Sequence, residues 1–175
     1  MFDFLTLAQH CAPEVRTATI VQVVRVESDF NPYAIGVVGG HLERQPRSRE
    51  EALATARHLA DHGYNFSVGL GQVNQANFQQ YGLTLETAFE PCLNLHAAAR
   101  ILQDCYRRAY RANGAEQAAL RDAFSCYFSG DFRRGYSAGY VTKVVGPRPV
   151  GAQRTKPSAG ADAPIGDSVR SALLF

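Results

Sequence analysis

The chain has 175 residues, 46% of them hydrophobic and 19% charged, with a formal net charge of +2. That mixture fits one ordinary globular domain with room for a tail, and a domain of this order buries a core without metal or disulfide staples. It speaks against a general polyanion binder, since 18 Lys and Arg stand against 16 Asp and Glu, and no apolar run reaches the roughly 18 residues of a membrane span.

Residues 2–10 read as a short helix, and Pro13 suits the first turn of the next one. Residues 14–27 carry two signals. The run Ile20-Val21-Gln22-Val23-Val24-Arg25-Val26 has strand propensity, whereas Val15, Ala18, Val21 and Arg25 follow a helical repeat. A buried helix is the expectation. Glu27 ends it, just before the turn Ser28-Asp29-Phe30-Asn31-Pro32. An acid at the tip of an apolar element is half-desolvated, which raises its pKa. Glycoside-cleaving enzymes protonate a leaving oxygen with an acid of this kind. Most glutamates are solvated surface residues, so Glu27 by itself is a weak signal.

Residues 31–47 read as loop and strand, with turns at Asn31-Pro32 and Gly39-Gly40 and a close at Pro46. Ser48 and Glu51 form a capping box for a helix whose apolar stripe is Leu53, Ala56, Leu59 and Ala60 and which stops at Gly63. An extended, glycine-punctuated stretch follows to Asn74. Further helices are expected from Asn74 to Gly82, over 93–112 and over 116–128, with a helical turn at Thr84–Ala88 and another turn or two over 138–145. The longest of them presents Leu95, Ala98, Ala99, Leu102 and Tyr106 on one face. From Pro147 onward, prolines mixed with Gly, Ala, Ser and Thr predict a flexible tail over 147–175, leaving residues 1–146 as the domain.

The four cysteines, Cys11, Cys92, Cys105 and Cys126, form no Cys-x-x-Cys pair, which weighs against a zinc ribbon or a thioredoxin-like motif. Their even number suits disulfides in an oxidising compartment, with buried free thiols as the alternative, and the pairing is open. The start, Met1-Phe2-Asp3-Phe4-Leu5, lacks the basic region of a secretory signal.

Three segments give Glu27 company. Gly69-Leu70-Gly71-Gln72-Val73-Asn74 lets backbone approach a ligand and offers an amide suited to an N-acetyl sugar. Ser125-Cys126-Tyr127-Phe128-Ser129-Gly130 ends a helix in a small-residue turn, and Tyr140-Val141-Thr142-Lys143-Val144 offers a phenol. In this order the segments resemble the lytic transglycosylases with a goose-type lysozyme fold. The family's Glu-Ser pair is matched by Glu27-Ser28, its Gly-Leu-Met-Gln by Gly69-Leu70-Gly71-Gln72, its Ala-Tyr-Asn-x-Gly by Cys126 to Gly130, and its Tyr-Val-x-x-Val by Tyr140 to Val144. The segments 30–40 and 65–74 narrow the resemblance to the VirB-type transglycosylases of type IV secretion and conjugation systems.

That resemblance implies an α+β, predominantly helical, lysozyme-like fold with a small β-hairpin region near residues 33–47 and 64–70. It implies cleavage of the bond between N-acetylmuramic acid and N-acetylglucosamine in peptidoglycan, closing a 1,6-anhydro ring, with Glu27 first as acid and then as base. Ser28, Gly69, Leu70, Gln72, Asn74, Tyr127, Ser129 and Tyr140 are the implied substrate-binding residues. Tyr127 is expected beneath the site, and Tyr140 against Glu27. No metal or cofactor is expected. The implied partners are peptidoglycan strands and secretion-system subunits, in the periplasm, with no nucleic acid. Two positions depart from the family: Gly71 replaces Met, expected to remove an apolar wall of the sugar site, and Phe128 stands where Asn is usual. A lysozyme-like hydrolase, a peptidoglycan-binding assembly module and a helical DNA-binding protein using Arg107, Arg108 and Arg111 are the alternatives.

Overall fold

The structure, a computed structural model, describes residues 3–146; the expected tail over 147–175 lies outside them. Helices dominate: α1 (Phe4–Cys11), α2 (Thr17–Ser28), α3 (Arg49–Asp61), α4 (Pro91–Asn113), α5 (Glu116–Ser129), α6 (Arg134–Ser137) and α7 (Tyr140–Val145). Three short strands, β1 (Ile35–Val37), β2 (Phe66–Val68) and β3 (Val73–Asn74), form one antiparallel sheet in chain order. Ile35 pairs with Val68, and Val68 in turn with Val73. The expected α+β class and the hairpin region near 33–47 and 64–70 are both present.

The ambiguous segment before Glu27 is a helix, but it begins at Thr17 and not at 14, and Pro13 lies in the preceding turn instead of in a first helical turn. Its buried face is Ile20, Val23 and Val24, while Ala18 and Arg25 are exposed. The repeat through Ala18 and Arg25 was the outer one. The inner spacing 20, 23, 24 continues to 27, so the helical period turns Glu27 inward on the last turn. Asp29 then stops α2 in the left-handed conformation at φ 49°.

Elsewhere the differences are local. Ser48 Oγ accepts from Glu51 N–H as a cap should, but the Glu51 carboxylate accepts from Arg47 N–H and pairs with Arg44. The buried stripe of α3 is Ala52, Ala56 and Leu59, one position round from the expected one. The helix expected from Asn74 to Gly82 is two 3₁₀ turns, Gln75–Asn77 and Gln79–Tyr81, the first capped by the Asn74 side chain. Helix α4 starts two residues before the expected 93, because Pro91 supplies a preformed first turn. Helix α6 was not anticipated; four residues carry too little periodicity to read.

Two apolar clusters fill the interior. One joins α1, α2, α5 and α7 to Leu95, Ala99 and Leu102 of α4. The other packs the sheet and α3 against Ala97 and Ala98 on α4's opposite side. Helix α4 therefore runs between two lobes, and Tyr127 packs against both clusters. Disulfides Cys11–Cys92 and Cys105–Cys126 tie α1 and α5 to α4.

Candidate active site

A hollow of about 280 Å³ lies between the lobes, with Glu27 on one wall and Gly36, Gln72 and Asn74 of the sheet region on another. Tyr127 and Phe128 of α5 complete it. Among the described residues, Glu27 is the single carboxyl lining this hollow. Burial pushes its pKa up to about 7, against a smaller opposing effect from the hydrogen bond it accepts from Tyr140 Oη at Oε1. Tyr140 opens α7, where Gly139 caps the helix at φ 73°. Its own phenol is pushed well up by burial first and by the Glu27 charge second. Phe128 lies against Tyr140 with ring centroids 4.8 Å apart and planes 23° apart. Its ring thus stacks on the phenol that holds Glu27, at the position where the resemblance leads to the expectation of Asn.

The Gly69–Gln72 turn is held from three directions. Ser28 Oγ donates to Leu70 O at 2.8 Å, so this hydroxyl fastens the turn to the end of α2. Tyr127 Oη donates to Gly71 O at 2.5 Å. The buried Asn94 accepts from Gly71 N–H at 2.8 Å and donates to Val68 O and Ala88 O at 2.9 and 2.8 Å. Gly69 holds φ +78°, and a Cβ on it would meet Asn94 Nδ2 at 2.3 Å.

Position 71 faces α4 and the Tyr127 phenol. A Cβ there would lie 2.5 Å from Ala98 Cβ and 2.9 Å from Tyr127 Oη. Glycine at this position lets the turn sit directly on α4.

Gln72 donates through Nε2 to Ala34 O and Gly69 O, both at 3.0 Å. These bonds fix the amide and leave its carbonyl oxygen against Gly36, where a Cβ would approach to 2.7 Å. Asn74 lines the same wall, but its side chain is engaged with Ala76 N–H, Asn65 Oδ1 and Ser67 Oγ. Ser129 stands apart: its hydroxyl donates to Ser125 O at 3.0 Å and braces the turn after α5.

The structure thus brings Glu27, Gln72, Asn74 and Tyr127 to one hollow, with Ser28, Gly69, Leu70 and Tyr140 behind them, and leaves Ser129 outside. Asn94 escaped the sequence reading, although a lone amide on the apolar face of α4, next to Leu95, was a usable signal. Gly36 escaped it because a glycine in a short strand looks like any turn residue.

Chemically, the hollow offers one acid that holds a proton near neutrality. Two-carboxylate glycosidases place a second carboxyl about 5–9.5 Å from the first. The nearest acid in sequence, Asp29, is exposed and caps α2.

Residues 4–135 match the family model described as "Transglycosylase SLT domain". The chain is 53% identical over 165 residues to the "Type IV secretion system protein virB1" of Brucella suis biovar 1, covering 91% of this chain and 68% of that protein. It is 54% identical over 151 residues to the protein of that name in Brucella abortus biovar 1, covering 83% and 63%. Against "Protein virB1" of Rhizobium radiobacter it is 39% identical over 144 residues, covering 81% and 59%. The chain thus spans about three fifths to two thirds of the length of these relatives. No solved structure matches it.

Proposed function

The chain belongs to the transglycosylase SLT domain family, and from that premise we propose that it cuts peptidoglycan glycan strands without hydrolysis, using Glu27 alone as acid and base. The observation that carries this reading is the raised pKa of a lone carboxyl on a sugar-sized hollow, held by Tyr140. Protonated Glu27 gives its proton to the oxygen between N-acetylmuramic acid and N-acetylglucosamine. The substrate's own N-acetyl carbonyl stabilises the cationic C1, the task a second carboxylate performs elsewhere. Glu27, now charged, takes the proton of the muramoyl C6 hydroxyl as that oxygen bonds to C1. The 1,6-anhydro ring closes and Glu27 is again protonated.

Gln72 orients the acetamido group through its carbonyl oxygen. Tyr127 and Phe128 supply the apolar faces against which sugar rings lie. Ser28, Gly69 and Leu70 hold the wall opposite the acid. The names of the relatives set this activity beside a type IV secretion apparatus, where local opening of the wall in the periplasm makes room for the assembly; the two disulfides suit that compartment.

Mass spectrometry of digested sacculi is the decisive measurement. Wild type should release muropeptides lighter by one water than lysozyme products, and Glu27→Gln should release about 10²–10⁴-fold less. Full-mass products would replace this reading with hydrolysis, and undiminished release by Glu27→Gln would remove Glu27 from the chemistry.

A further inference from the structure

A second hollow, of about 520 Å³, adjoins the Glu27 cleft and shares Asn77, Ile101 and Tyr127 with it. One wall is a single face of α4, where the spacing 104, 107, 108, 111 brings Asp104, Arg107, Arg108 and Arg111 together. Three guanidiniums thus face one carboxylate. Both oxygens of that carboxylate are engaged: Arg107 takes Oδ1, and Tyr81 Oη donates to Oδ2 at 2.9 Å. Arg108 sits with Nη2 2.8 Å from Cys126 Sγ and with its guanidinium 5.8 Å from the centroid of Phe132, contacts that place its charge without cancelling it. Among the described residues no salt bridge reaches Arg108 or Arg111. In a chain whose net charge is only +2, this is a local cationic basin, and concave walls concentrate its field.

With each muramoyl lactyl carboxyl tied up in the amide bond to a stem, the glycan backbone itself is neutral. The anions of peptidoglycan are the carboxylates of the peptide stem, which branches from the lactyl group of the muramoyl sugar beside the bond being cut. We propose that the arginine-lined hollow binds stem-peptide carboxylates, so that the chain grips a strand at the sugar through the Glu27 cleft and at the stem through α4. This inference deepens the proposed function and depends on the same strand lying in the cleft. Guanidinium forks match carboxylates in paired, charge-assisted hydrogen bonds. Gln80 also lines the hollow, with Nε2 donating to Tyr81 Oη at 3.3 Å.

Binding separates this idea from catalysis. Glu27→Gln protein is titrated with soluble glycan strands that keep their stems, and with strands stripped of stems by an amidase and then capped as simple amides at the lactyl carboxylates this exposes. Stem-bearing strands should bind about five- to tenfold more tightly, as expected for two or three partly exposed charge contacts. Arg107→Gln with Arg111→Gln, both on exposed positions, should erase that difference and leave stem-free affinity unchanged. Strands whose stem carboxylates are chemically amidated should behave as stem-free. Equal affinity for both strands overturns the proposal, as does a preference that survives the double substitution or the amidation. Tighter binding of a single-stranded oligonucleotide than of stem-bearing strands overturns it too, by assigning the basin to phosphate. A wild type that forms no anhydro product from any strand refutes the transglycosylase reading alone, since the binding difference is measured without turnover.

Discussion

The Tyr140 phenol donates its hydrogen bond to Glu27 Oε1 across 113 residues of chain. The contact joins the last helical turn of α2 to the first residue of α7, and Phe128 stacks on its outer side. Burial raises the Glu27 pKa and this bond lowers it, so the residue's working range is a balance between the two.

That balance fixes a pH profile. In the proposed mechanism Glu27 starts the reaction in its protonated form, so kcat/KM should be level on the acid side and fall about tenfold per pH unit above a midpoint of about 7. Rates on purified strands across pH check it; a midpoint near that of a free carboxyl would contradict the burial.

Stability carries the same signature. The folded pKa lies above the unfolded value, so the folded state keeps a proton the unfolded chain has released. Glu27's contribution is therefore complete below a pH of about 4.5 and is lost as the pH rises through about 7. Glu27→Gln has no charge to bury and should melt higher than wild type at about pH 8 and equally at about pH 4, a difference of roughly 2 kcal/mol at the higher pH after allowing for partial exposure. Thermal melts at the two pH values decide it.

Tyr140→Phe removes the effect that favours the carboxylate while keeping the stack on Phe128. The basic limb of the rate profile should move up by roughly half to one unit, and the plateau should fall about tenfold as the acid loses its orientation. A lowered plateau with an unmoved limb would make Tyr140 structural only.

Gly71→Ala should cost about 1–3 kcal/mol through overpacking against Ala98 and Tyr127, and Gly71→Met more. Restoring the residue usual in the family should therefore weaken this chain, which denaturant midpoints would show.

The two disulfides should differ in worth. Their sequence separations are 81 for Cys11–Cys92 and 21 for Cys105–Cys126. Loop-closure entropy then makes removal of the first about 1 kcal/mol more costly than removal of the second. Paired Cys→Ala variants compared by urea unfolding test the order.

Much of this was legible in the chain because local rules and motif order agree. The Ser48 cap, the long apolar face of α4 and the ordered company of Glu27, Gln72, Tyr127 and Tyr140 could each be read from residue types and spacing. What could not be read depends on contacts between distant segments. Which face of α2 is buried could not be read because its apolar residues run nearly all round the helix, and packing in the cluster with α1 and α7 selects Ile20, Val23 and Val24. The direction of position 71 is set by the close approach of α4, which a glycine permits but does not announce. Asn94 serves backbone groups 6 to 26 residues away, beyond any local pattern.

One amide, that of Asn94, secures Val68, Gly71 and Ala88 to the fully buried face of α4. The glycine turn therefore belongs to the same cooperative unfolding unit as the longest helix, and the Gly71 amide proton should exchange with solvent only when that unit opens. Glycine-rich turns are often hinges; this one is a rigid mould. In the proposed reaction, shape adjustment on binding then falls to the glycan and not to this turn.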